Sequence, residues 1–160
     1  MPDKVKAMFF EEGVITENSS FAQEFYNQSR FGELKKDGRI SLSMIEAYLL
    51  IEKDKLDVYD ARNRVIPQEV FLKKAKKKQP SFEIKYAVFK DLRDRGYVVK
   101  TALKFGADFR VYDRGVKPGE DHAKWVVFPV HESSVLTWHE FSAKNRVAHS
   151  TKKRLLLGVV

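Results

Sequence analysis

A chain of 160 residues, 43% hydrophobic and 12% aromatic, can bury a core as one domain or two small ones. It has no cysteine, which excludes disulfides and thiolate zinc sites, and no apolar run approaches the roughly 20 residues that span a bilayer. The net charge is +8 and uneven: residues 1–80 carry 15 Lys plus Arg against 13 Asp plus Glu, and residues 81–160 carry 15 against 9, so a polyanion would meet the second half.

Val5 to Phe10 and Val14-Ile15, separated by Glu11-Glu12-Gly13, predict a β-hairpin. Asn18-Ser19-Ser20 supplies N-cap chemistry for a helix over 21–29, with Phe21, Phe25 and Tyr26 expected on a core-packing face. Ser43 can cap a second helix whose stripe Met44, Ile45, Tyr48, Leu49 and Ile51 gives way to Glu52-Lys53-Asp54-Lys55. A third helix starts at Pro67, a good first-turn residue, and runs through Phe71 and Leu72 into Lys73-Lys74-Ala75-Lys76-Lys77-Lys78. That lysine run reads either as a nucleic-acid or localisation patch, or as a solvated helix end whose charge complements the dipole before Pro80 stops the helix. A domain boundary is expected near residue 80, between an N-terminal α/β domain (1–80) and a C-terminal domain (81–160).

The clearest helix is 81–95, with Ser81 as N-cap, Phe82, Tyr86, Phe89 and Leu92 on its apolar face and Gly96 at C′. Strands follow at 97–103, 108–113 and 124–130, then a helix from about Thr137 to Ala148 and a last strand at 154–160. This order describes a mixed α/β unit around a central sheet. With no signal-peptide core behind Met1-Pro2-Asp3-Lys4, the chain reads as cytoplasmic and without a membrane partner.

Candidate chemistry centres on Gly106 to Lys124. Alternation in Asp108-Phe109-Arg110-Val111-Tyr112 puts Tyr112 at a strand end, and Asp113 to Gly119 carries two Gly and one Pro, a loop that returns the chain to His122 just before the next apolar run. Two strands could bring Tyr112 and His122 to one sheet edge. His131, His139 and His149 lack the i, i+4 spacing of a helical metal pair. Asp108, Asp113, Glu120 and Asp121 offer a rival arrangement in which carboxylates hold magnesium, without the acidic residue two before a lysine that such sites use. A third segment, Asn145 to Arg154 before Leu155-Leu156-Leu157, gathers cations that either bind phosphate or complement a helix end.

Taken together, YAVFKDLRDRGYVVKTALKFGADFRVY (86–112), HAKWVVFPV (122–130) and NRVAHSTKKRLLLGVV (145–160) resemble the catalytic domain of archaeal tRNA-splicing endonucleases. Residues 1–80 resemble the family's N-terminal domain only in size and in mixing strands with helices. The resemblance implies a restriction-endonuclease-like catalytic domain, with a central mixed sheet flanked by helices, that cuts RNA with a Tyr, His, Lys triad, no metal and no cofactor. The triad falls on Tyr112, His122 and Lys153, the lysine by alignment on Ala148, Ser150 and Leu155, with Lys152 as the second choice. Arg146 matches an arginine that clasps a flipped-out base, and Arg110 and Lys153 are the cations that could help a tyrosine, whose phenol ionises in water only near pH 10, to act as a base.

Implied further are a precursor tRNA substrate cut at bulge–helix–bulge motifs, 2′,3′-cyclic phosphate and 5′-hydroxyl ends, and a homotetramer or the catalytic subunit of a heterotetramer. The family pattern continues past the last leucine-rich strand with an acidic loop and a final strand, and against it this domain stops at Val160. The alternative expectation is a non-catalytic RNA-binding or structural subunit of such an assembly.

Overall fold

The computed structural model describes residues 4–11, 13–119 and 122–160, and the chain divides into two compact units, Met1–Phe82 and Glu83–Val160. In the first unit, β1 (Val5–Phe10) turns back into β2 (Gly13–Thr16) as the alternation of Val5 and Ala7 predicts; both are buried. Helix α1 (Ser20–Ser29) follows, capped by Ser19, whose Oγ accepts from the Ala22 amide at 3.1 Å. Its expected core face is only half-buried. Phe21 is 53% exposed, and the small Ala22 is the residue that packs inside.

Two further strands were hidden in the sequence by their neighbours. Strand β4 (Ile40–Ser43), which pairs with the short β3 (Glu33–Leu34), buries Ile40 and Leu42, but only four residues precede the helix that Ser43 caps. That helix, α2 (Met44–Glu52), opens with a full capping box: Ser43 Oγ accepts from Glu46 N, and Glu46 Oε1 accepts from Ser43 N at 3.1 Å. The other Glu46 oxygen accepts from Gly32 N at 2.6 Å, so this buried carboxylate joins the α2 start to the loop after α1. Strand β5 (Leu56–Tyr59) emerges directly from the charged run and lies parallel to β1, completing a mixed five-stranded sheet of order β3-β4-β2-β1-β5. Pro67 is the residue before α3 (Gln68–Lys78), and the helix carries the lysine run to its end.

Helix α4 (Phe82–Asp94) opens the second unit, in which it buries Tyr86 and Phe89. Ser81 adopts the left-handed region (φ 64°) instead of the extended conformation of an ordinary N-cap, so the expected cap is not made in its usual geometry. The C-terminus closes as a Schellman motif: Gly96 N donates to Arg93 O at 2.9 Å, Tyr97 N donates to Leu92 O at 3.1 Å, and Gly96 takes φ 93°. Strand β6 (Val99–Thr101) is shorter than its apolar sequence suggests because Leu103–Phe105 forms a 3₁₀ turn. β6 is followed by β7 (Phe109–Val111), β8 (Trp125–Val130), α5 (Trp138–Ser150, capped by Thr137) and β9 (Arg154–Val159).

The sheet order is β6-β7-β8-β9, antiparallel except for the parallel pair β8·β9. Helix α4 covers one face, where Phe89 meets Phe109 with ring centroids 5.8 Å apart and a Cβ on Gly158 would stand 2.8 Å from Val88 Cγ2. On the other face Ala148 of α5 packs with Val126, Phe128, Leu155 and Leu157. No helix among the described residues is long and apolar enough to cross a membrane.

Candidate active site

The topology of the second sheet determines which residues meet. Because β7 runs antiparallel to β8, the end of β7 lies beside the start of β8; because β9 runs parallel to β8, its start lies there too. Three chain segments therefore arrive at one sheet edge: Tyr112 just after β7, His122 just before β8 and Lys153 just before β9. Backbone bonds fasten them beyond the strands proper. Tyr112 N donates to Val98 O at 3.1 Å, Lys124 N to Val111 O at 3.0 Å and Arg154 N to Lys124 O at 2.8 Å.

Period-two alternation then sorts the side chains of β7. Phe109 and Val111 are buried on the α4 side, and Arg110 and Tyr112 share the opposite face. On that face lies an open cavity of about 350 Å³ lined by Phe105, Arg110, Tyr112, Gly119, His122, Ala123 and Lys153. All three residues that the sequence nominates for chemistry line it. Their surroundings differ: Tyr112 is 6% exposed, His122 is exposed and Lys153 is half-buried.

Lys153 is held by two contacts. Its Nζ donates to Thr151 O at 3.2 Å and stands 5.5 Å from the centroid of the Phe105 ring, a cation–π arrangement. Both contacts leave ammonium protons to offer. The residue ahead of it, Lys152, is in the left-handed region (φ 56°) at the C′ position of α5. Lys152 N donates to His149 O at 3.1 Å and Lys153 N to Ala148 O at 2.9 Å, a second Schellman closure. Lys152 is exposed and lines a neighbouring cavity of about 440 Å³ together with His122, Lys124, Lys153 and Arg154; unlike Lys153, it does not line the cavity that holds Tyr112.

Arg110 lines the Tyr112 cavity and brings a guanidinium charge to it; its buried Nε has no hydrogen-bond partner among the described residues. Arg146 is not in this cavity. It is exposed on α5 and lines an adjoining groove that shares Lys153.

The loop between Tyr112 and His122 is closed at its base by an ion pair, Asp113 to Lys124, at 2.7 Å. Gly115 and Gly119 take φ 79° and 94° there, so the loop's reversal uses conformations that L side chains rarely adopt. Of the carboxylates in the magnesium arrangement, Asp113 has this lysine and Asp108 has Lys85 at 3.3 Å; Glu120 and Asp121 lie outside the described residues. Phe105 is the lining residue that sequence reasoning missed. Its signal was present in the Lys104-Phe105-Gly106 run, where a strand was expected to have just ended.

Comparison with known proteins identifies the family of both units. The tRNA intron endonuclease catalytic C-terminal domain matches residues 82–160, and the N-terminal domain of the same family matches residues 5–72, a likeness stronger than the size and mixed composition legible in the sequence. A tRNA-splicing endonuclease of Thermococcus onnurineus is 38% identical over 160 residues, all of this chain and 91% of the relative. One from Nanoarchaeum equitans is 50% identical over 125 residues, 74% of this chain and 80% of the relative, and one from Pyrococcus furiosus is 41% identical over 147 residues, 92% and 83%. With both of its domains matched and relatives of this identity along its length, the chain belongs to the tRNA intron endonuclease family.

Proposed function

We propose that this chain is an endoribonuclease that excises introns from precursor tRNA without a metal, by attack of a ribose 2′-hydroxyl on the adjacent phosphate. The observation that carries the reading is the convergence of Tyr112, His122 and Lys153, from three separate segments, on one open cavity. Tyr112 accepts the 2′-hydroxyl proton as the 2′-oxygen to phosphorus bond forms. His122 donates a proton to the departing 5′-oxygen as that phosphorus–oxygen bond breaks. The ends left are a 2′,3′-cyclic phosphate and a 5′-hydroxyl.

Lys153 and Arg110 supply positive charge to the phosphate oxygens as negative charge builds in the transition state, and the same cations favour the ionised form of a tyrosine acting as base. Burial of Tyr112 fits a group that must hold one position, and exposure of His122 fits a group that must exchange its proton with solvent between turnovers. In this reading Arg146, which lines the adjoining groove, clasps an unpaired base beside the cleaved bond, and Lys152 contacts a flanking phosphate.

The substrate in this reading is a bulge–helix–bulge RNA, whose splayed nucleotides expose the 2′-hydroxyl for in-line attack. Two cleavages per intron require two such cavities, so the working form is a homotetramer or a heterotetramer with this chain as catalytic subunit. The deciding experiment is cleavage of a bulge–helix–bulge RNA in EDTA. Full activity with cyclic-phosphate ends supports the proposal. Activity restored only by magnesium would overturn the metal-free reading, and binding without cleavage by an assembled sample would make the chain a binding subunit.

A further inference from the structure

The start of α5 carries an exposed aromatic pair that the proposed chemistry does not use. Trp138 is 85% exposed, and its ring meets that of Phe141 edge-on, with centroids 6.3 Å apart and planes at 88°. Such an indole gains little from burial, and its open ring face is a stacking surface for a planar partner.

From Phe141 a groove of about 600 Å³ follows the helix past Ser142, Asn145, Arg146 and His149 to Lys153. Positions 138, 141, 142, 145 and 149 recur at three- and four-residue intervals, which is one face of a helix. The stripe begins at a tryptophan, and the groove that its later members line reaches the lysine that also lines the Tyr112 and His122 cavity. Residues 138–154 contain five Lys or Arg and a single acidic residue, Glu140. Glu140 is engaged at the helix start, where its carboxylate lies 3.2 Å from Thr137 Oγ1.

An aromatic face at one end, cations along the path and an open groove between them is the chemistry that binds an unpaired nucleic-acid strand: bases stack on rings while phosphates follow positive charge. The eleven steps from Trp138 to His149 rise roughly 16 Å, enough for a few nucleotides. A protein partner would also cover an exposed tryptophan. The cations and the continuity with the cavity favour RNA.

We infer that this face of α5 is a single-strand track on which unpaired nucleotides leaving the cleaved phosphate lie, with one base stacked on Trp138. The inference rests on the RNA-cleaving function proposed above and extends its substrate site beyond Arg146. The test is the Kd of a bulge–helix–bulge RNA blocked by 2′-deoxy residues at the cleavage positions.

Trp138→Ala should raise Kd about ten-fold, roughly 1.4 kcal/mol, and Trp138→Phe, which keeps a ring face, should stay within about three-fold of wild type. In RNAs that lack the unpaired nucleotides 5′ or 3′ of the scissile phosphate, the Trp138→Ala effect should fall below about two-fold for one of the two. Equal Kd for wild type and Trp138→Ala on the full RNA would overturn the track, as would an effect retained on both shortened RNAs. A loss of affinity accompanied by altered sedimentation would assign Trp138 to a protein contact instead. Cleavage of the all-ribose RNA by wild type tests the enzyme separately: if wild type fails to cleave but the Kd pattern holds, the track stands and the catalytic reading falls.

Discussion

Two lysine-rich segments of this chain look alike in sequence and differ in what their backbones do with the charge. On α3, Lys73, Lys74, Lys76, Lys77 and Lys78 follow one another along a regular helix; the last three complement its negative end, and Lys74 and Lys78 lie over the Phe9 ring at 5.4 and 5.6 Å. None of the cavities described above takes a lysine from α3. After α5 the pair Lys152-Lys153 sits on a Schellman turn between a helix and a strand; both lysines line the cavity beside His122, Lys124 and Arg154, and Lys153 alone of the two also lines the Tyr112 cavity. Charge density is therefore a poor guide to a phosphate site. A turn that presents one cation beside other functional groups is a better one.

The sharpest way to break this comparison is to remove single side chains at the turn and in its cavity. His122→Ala and Lys153→Ala should each lower the cleavage rate about 10²–10⁴-fold, while RNA affinity stays within about three-fold of wild type. Single-turnover kinetics and filter binding measure the two separately. If affinity falls in parallel with rate for His122→Ala, the imidazole is a structural group.

Lys152→Gly should have a smaller effect, less than about ten-fold on cleavage. The same change should raise stability by about 0.5–1 kcal/mol in thermal melts, because glycine relieves the left-handed strain at φ 56°. Gly96→Ala, at the equivalent position of α4, should cost about 1 kcal/mol by the same reasoning.

The double change Lys73→Gln, Lys77→Gln on α3 should move RNA affinity less than about two-fold and leave the slope of log K against log salt nearly unchanged. Loss of a true phosphate contact at Lys152 should lower that slope by about 0.7.

The smallest effect concerns acid. Asp60, in the turn after β5, is held below the ordinary carboxylate range chiefly by the Arg64 amide, opposed by desolvation and helped by the Arg62 amide. A depressed folded value means that its stabilisation is present above the unfolded carboxylate's pKa and is lost as pH falls through the folded one. Asp60→Asn should flatten the acid limb of a pH–stability curve slightly and leave cleavage at neutral pH as it was.

What could be read in advance follows the range of the forces involved. Local signals were legible: Ser19 and Ser43 as caps, Gly96 as a helix stop, Phe109 and Val111 as one strand face. The residues proposed as a triad could be named only through resemblance, because the segments that carry them are compact motifs. Non-local features were not legible. Nothing near Leu56 announces that it will pair with Val5, and the lining role of Phe105 depends on a 3₁₀ turn that brings it beside a lysine far along the chain. Ser81 misled because cap preference is a statement about side chains, whereas its backbone follows Pro80 into the left-handed region.

The Schellman turn at the end of α5 has a further consequence for how this segment can vary. Three consecutive amides, of Thr151, Lys152 and Lys153, are bonded back to the carbonyls of Val147, His149 and Ala148. The reach from helix to cavity is thus counted in residues and not set by a pliable tether. Composition at position 152 can drift with modest effect, but a one-residue insertion or deletion between Ala148 and Lys153 would advance or retard the count and present a neighbouring side chain in place of the ammonium. Length, more than identity, is the property of this turn that the site requires.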